Sequence, residues 1–203
     1  MKNSKYLGFI CALAVLTLPL LGTTNAANIV MNPGFETGDF TDWQIFGENG
    51  DAFAIVQSGD NGPAAPGTHN AFLSNQAEAV GLLLKQSTPI DSAGPGTVDY
   101  SYDILLDQAD VGGVVFVEIF AEQEGVGIIG GSGLMGPLWA WDWTTYEGSF
   151  VAPAGTDFLT IQFVATTGAN VDSNCLMHVD NVSLDQGSVA TESMDWGSAK
   201  VLY

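Results

Sequence analysis

The chain has 203 residues, with 23 Asp and Glu against 4 Lys and no Arg, and a formal charge of −19. Such a surface repels phosphate backbones and anionic lipid, which excludes nucleic acid and acidic membranes as partners. Lys2 and Lys5 open the chain, an uncharged apolar run follows from Leu7 to Leu21, and Thr24-Asn25-Ala26 supplies small residues. That order is the pattern of a secretory signal peptide, and the run is short of the ~20 residues a spanning helix needs. We expect residues 1–26 to be a leader and the mature chain, from Ala27, to be secreted or held at the cell surface without inserting in a membrane. The mature part keeps every acidic residue and two lysines, Lys85 and Lys200. Its one cysteine, Cys175, leaves no intrachain disulfide to form and reads as a small buried apolar residue.

Helical periodicity is almost absent. Val98, Tyr100, Tyr102, Ile104 and Leu106 alternate with Asp99, Ser101, Asp103, Leu105 and Asp107. A period of two predicts a strand with one buried and one wetter face. Leu159, Ile161 and Phe163 alternate with Thr160 and Gln162 in the same way. Val114 to Ala121 is apolar on both faces except at Glu118, which predicts a central strand. Further strands are expected at 28–33, 52–57, 70–75, 80–86, 145–151 and 175–185. Turn signals separate them at 59–63, 93–96 and 152–155, and a glycine-rich stretch from Gly125 to Gly136 reads as a loop. Eight or nine short strands at this spacing predict an all-β sandwich over 27–186. The strand pattern then stops, and 187–203 reads as a C-terminal tail with an apolar cluster at Trp196, Val201, Leu202 and Tyr203.

Three segments carry a pattern: Asn28-Ile29-Val30-Met31-Asn32-Pro33-Gly34-Phe35-Glu36 with Trp43 behind it, the stretch from Trp143 to Gly155, and His178-Val179-Asp180-Asn181-Val182-Ser183-Leu184. Their order resembles the galactose-binding-like jelly rolls, in particular carbohydrate-binding modules of the family 4, 9 and 22 kind. The resemblance implies a two-sheet antiparallel jelly-roll sandwich whose first and last strands lie side by side. It also implies a structural Ca²⁺ on the flank, held by Glu36 and Asp180, with main-chain carbonyls from the turn that contains Thr68 and Asn70. Ca²⁺ takes six to eight oxygens, which such a set can supply. The other reading of the same residues is that Glu36 caps a turn and Asp180 bonds local amides. Trp43 and Trp143 match packing positions in the resembling modules.

Sugar rings present a C–H face that an exposed aromatic can meet, while carboxylates and amides bond the hydroxyls. Two places offer this. One is the second face of the central strand, Phe116, Glu118 and Phe120, joined by Asp99, Ser101 and Asp103 from a neighbouring strand. The other is Trp139-Ala140-Trp141-Asp142, where alternation puts both indoles on one side. No carboxylate pair is singled out for glycoside hydrolysis, no zinc pattern or Gly-x-Ser-x-Gly elbow exists, and the glycine-rich stretches lack a phosphate-loop lysine. The expectation is therefore a secreted, calcium-supported, non-catalytic module that binds polysaccharide or cell-surface glycan. The alternative is a structural or adhesive extracellular protein that uses the sandwich to meet other surface proteins.

Overall fold

The computed structural model describes residues 27–59 and 67–187. The expected leader, all but the first residue of the turn expected at 59–63, and the tail from residue 188 lie outside the described residues. Twelve strands follow in chain order: β1 (Ala27–Asn28), β2 (Gln44–Phe46), β3 (Ala52–Ser58), β4 (His69–Asn75), β5 (Gly81–Ser87), β6 (Gly96–Asp110), β7 (Val114–Gln123), β8 (Gly127–Gly131), β9 (Met135–Leu138), β10 (Thr144–Ala152), β11 (Phe158–Thr166) and β12 (Asn174–Gln186). Among the described residues no helix is long and apolar enough to cross a membrane.

Two antiparallel sheets result. The first runs β10-β6-β12-β4-β3, with β1 also paired to β12; the second runs β2-β5-β11-β7-β8, with β9 also paired to β7. The expected two-sheet sandwich is what forms. Its cause is visible along β7, where Val115, Val117, Ile119 and Ala121 have no exposure while Phe116, Glu118 and Phe120 between them are half-buried. Each large apolar side chain buried this way stabilises the sandwich by about 1.5–3 kcal/mol, before conformational entropy is set against it. Leu159, Ile161 and Phe163 of β11 face the same core and meet Tyr102, Ile104 and Leu106 of β6 from the opposite sheet. Tyr102 stacks on Tyr100 and Tyr146 and turns its edge to Phe163 at 5.4 Å.

The first and last strands pair as expected, Ala27 with Gln186 and Asn28 with Asp185. The first strand is shorter than the pattern suggested. From Val30 onward the chain leaves the sheet as a loop that buries Phe35 and Trp43, with ring centroids 5.2 Å apart. Trp43 is the core plug its position implied, and its Nε1 donates to the Asn32 carbonyl at 3.1 Å. Trp143 is not. It packs on the outer side of the first sheet against His178, with centroids 6.0 Å apart. The stretch read as a glycine-rich loop is also corrected: it supplies β8 and β9, both paired to β7.

Candidate functional site

Directly opposed residues on paired strands share a face. On the outer face of the second sheet this builds three rows across the strands. Phe116 of β7 lies beside Val164, then Leu83, then Phe46. Glu118 lies beside Gln162, Lys85 and Gln44 in turn. Phe120 lies beside Thr160 and Ser87. An apolar row thus runs next to a polar row, spanning about 14 Å from β2 to β7 at the usual strand spacing. The structure brings Phe116, Glu118 and Phe120 together as expected, and adds the amides of Gln162 and Gln44, the Lys85 ammonium and the exposed ring of Phe46.

Asp103 does not join them. Its strand, β6, belongs to the opposite sheet, paired with β10 and β12. Asp103 is buried, its two oxygens taken by the Thr145 hydroxyl at 2.6 Å and the Asn181 amide at 2.8 Å. It is a structural carboxylate, and Asp99 and Ser101 on the same strand are removed from the candidate face for the same reason.

The tryptophan pair is exposed. Trp139 and Trp141 have fractional exposures of 52% and 56%, and their rings lie 6.2 Å apart at an angle of 35°. The backbone beneath them is fixed: the Trp139 carbonyl accepts the Tyr146 hydroxyl at 3.1 Å, and the Ala140 carbonyl accepts Leu106 N–H at 2.6 Å. Clamping a flat ring between two aromatic faces needs roughly 7–8 Å between them, two van der Waals contacts of 3.5–4.0 Å. These indoles are too close for that and form one continuous apolar surface. Leu138 pairs with Val115 of the second sheet, whereas the Trp139 and Ala140 carbonyls bond Tyr146 of β10 and Leu106 of β6, so the pair stands where the chain crosses from the second sheet to the first.

The expected metal residues also meet in part. A Cβ built on Gly34 would lie 3.3 Å from Asp180 Oδ1, 3.7 Å from Glu36 Cγ and 3.9 Å from Asn181 Oδ1. Two acidic side chains far apart in sequence therefore flank one point, and glycine leaves it open. Glu36 Oε1 accepts Thr68 N–H at 2.7 Å and His69 N–H at 3.0 Å, and its Oε2 accepts the Thr68 hydroxyl at 3.0 Å. Partial burial pulls the Glu36 carboxyl up, but these bonds outweigh it and hold the group below its usual value. Asp180 Oδ1 accepts Asn181 N–H at 2.7 Å. The turn-capping arrangement weighed in the sequence is thus present. Of the expected carbonyl donors, that of Thr68 accepts Gly59 N–H at 3.0 Å, and Asn70 turns its side-chain oxygen to His178 Nδ1 at 2.9 Å. Among the described residues no group of three or more His, Cys, Asp or Glu is gathered. What meets at Gly34 is one carboxylate oxygen of Asp180, the amide oxygen of Asn181 and the Glu36 methylene, whose own oxygens turn to Thr68 and His69; the donors offered by these side chains are all oxygens, the chemistry a hard cation takes.

No protein-family profile and no curated protein matches the chain. Solved structures do. A family 61 carbohydrate-binding module in complex with β-1,4-galactotriose superposes with a TM-score of 0.54 at 16% identity, over 79% of this chain and 99% of that one. A family 16 carbohydrate-binding module gives 0.53 at 15% identity, over 78% and all of that chain. The enzymatically active domain of bacteriophage CBA120 tailspike protein 4 gives 0.61 at 12% identity, over 78% of this chain and only 21% of that one. The chain therefore shares the two-sheet β-sandwich fold of these carbohydrate-binding modules.

Proposed function

We propose that the domain binds a neutral glycan outside the cell and leaves it chemically unchanged. The observation that carries this reading is the pair of exposed indoles at Trp139 and Trp141, set on a pinned backbone. Two large rings left in water are an unusual arrangement unless something covers them. The rows on the outer face of the second sheet offer a further ring at Phe116 and hydrogen-bonding groups at Gln162 and Glu118. A carboxylate-rich surface with few cations favours neutral sugars over uronates and sulfated chains.

The test is affinity electrophoresis through gels carrying soluble neutral polysaccharides, galactan and xylan among them. Trp139→Ala and Trp141→Ala each lower affinity about tenfold or more, a loss of about 1.4 kcal/mol, with unchanged melting temperature. Equal retardation of wild type and double variant on every polymer that retards either would sink the reading.

We propose a structural role for Ca²⁺ at Glu36 and Asp180, with main-chain oxygens of Thr68 and Asn70 as its further ligands. The support is that the Asp180 carboxylate and the Glu36 side chain flank Gly34 and that the donors they offer are oxygens. Direct calorimetric titration with Ca²⁺ checks it, alongside Glu36→Gln and Asp180→Asn. Binding heat is expected for wild type and lost in both variants, and chelator lowers the wild-type melting temperature. Indifference of wild type to chelator would remove the ion and leave Glu36 as a turn cap.

A second reading, assembly with another protein, draws on the exposed apolar side chains of edge strand β3, Phe53 at 39% and Ile55 at 43%. Sedimentation velocity of the Phe53→Ser/Ile55→Ser variant against wild type tests it for assembly with further copies of the chain: the wild type should gain mass with concentration and the variant should not.

A further inference from the structure

At the end of the first sheet lies a recess of about 530 Å³, between the ends of β4 and β6 and the segment leading into β12. Pockets for small ligands fall in the range of about 300–1,000 Å³. Its walls carry the carboxamides of Gln76, Gln108 and Asn174 and the carboxylates of Asp110 and Asp172. Val111 and Val171 form its lips, with exposures of 52% and 71%.

The polar groups hold one another in place and keep capacity to spare. Gln108 Nε2 donates to Asp110 Oδ2 at 2.7 Å, and Gln76 Nε2 donates to Ser74 Oγ at 3.3 Å. Asn174 Oδ1 accepts Asp110 N–H at 3.3 Å, and its Nδ2 donates to the Asp172 carbonyl at 3.3 Å. Each carboxamide nitrogen has two protons, and each carboxylate has several acceptor sites. A ligand made of hydroxyls, which donate and accept at once, matches such walls. An anion does not, because the lining has two carboxylates and no cationic side chain.

Val111 supplies an independent observation. It sits at φ 49°, followed by Gly112 at φ 93°, and Gly113 N–H donates to the Asp110 carbonyl at 2.9 Å. Two consecutive positive φ values are the geometry in which Asn-Gly is favoured, and a β-branched residue there is strained. This valine is exposed and gains little burial in return. Strain kept at the lip of a recess points to use of the side chain by a ligand.

We propose that this recess is a second binding site, for a small neutral polyhydroxyl ligand such as a single sugar ring. Gln76, Gln108 and Asn174 bond the hydroxyls, and Val111 covers a C–H face. The site does not rest on the tryptophan pair. The test is nitrogen-15 NMR of the labelled protein titrated separately with galactose, xylose, glucose, glucosamine and glucuronate. The side-chain NH₂ signals of Gln76, Gln108 and Asn174 shift with at least one neutral sugar and not with glucuronate. Val111→Asn relieves the backbone strain, so its melting temperature rises while the affinity behind those shifts falls tenfold or more. Gln108→Ala, a change at an exposed side chain, weakens the same response. Trp139→Ala/Trp141→Ala leaves the shifts intact, so failure of either site is read separately. Signals that answer no neutral sugar, answer glucosamine alone, or answer equally well in Val111→Asn would overturn the proposal.

Discussion

Gln86 does with its side chain what a longer first strand would have done with its backbone. Its Oε1 accepts Met31 N–H and its Nε2 donates to the Met31 carbonyl, both at 2.7 Å. Asn28 adds to this: its Oδ1 accepts Val30 N–H and Leu184 N–H, and its Nδ2 donates to the Val182 carbonyl. The apolar pattern over 28–33 reads as a strand because these residues are anchored like one, but by the side chains of Gln86 and of Asn28 itself. A glutamine 55 positions away is invisible to any local period. Gln86→Leu keeps the bulk and removes both bonds. It should cost about 2–3 kcal/mol, the penalty for orphaning two sheltered backbone groups, measured by urea denaturation. At Cys175 burial pushes the thiol up to about 12, against the lowering effect of a bond from the Thr166 backbone. A thiol with that pKa has almost no thiolate at pH 8, and it has no exposure. Native protein should leave it unmodified by iodoacetamide at pH 8 over hours, with full reaction in denaturant.

At the scale of elements, alternation was legible wherever a strand was long and one-sided. The strands β3, β4, β5, β6, β7, β10, β11 and β12 lie within a few residues of where the pattern put them. Two things were not legible. The short strand β2 has three residues, too few to show a period. The glycines of β8 and β9 gave no side-chain signal, although their role is steric: a Cβ on Gly131 would lie 2.2 Å from the Ile119 carbonyl oxygen. At Gly131 and Gly136 the chain comes too near the β7 backbone for a side chain, so part of what looks like loop composition is close packing. Gly131→Ala should therefore destabilise the domain by more than about 2 kcal/mol, the upper range for overpacking, seen as a lower denaturation midpoint. The candidate face divides along the same line. Phe116, Glu118 and Phe120 follow from one strand's own period. Gln162 and Lys85 beside them depend on the order β5-β11-β7, and Asp103 was misassigned because which strands share a sheet is set by non-local pairing.

For the whole molecule, a net charge of −19 makes the folded state repel itself. Salt screens that repulsion, since the Debye length falls from ~30 Å at 0.01 M to ~3 Å at 1 M. The melting temperature should rise steadily with NaCl between those limits. A flat response would mean that the carboxylates are dispersed enough to ignore one another. Neutral-glycan binding should change little over the same series, because stacking and hydrogen bonds between uncharged partners have no screened term.

The pairing of Ala27 with Gln186 brings the two ends of the sandwich to one corner. Tension applied through both ends loads that short ladder across its hydrogen bonds, which then break in succession instead of shearing together. A domain tethered at both ends would yield there at low force, peeling β1 away before the layered core is strained.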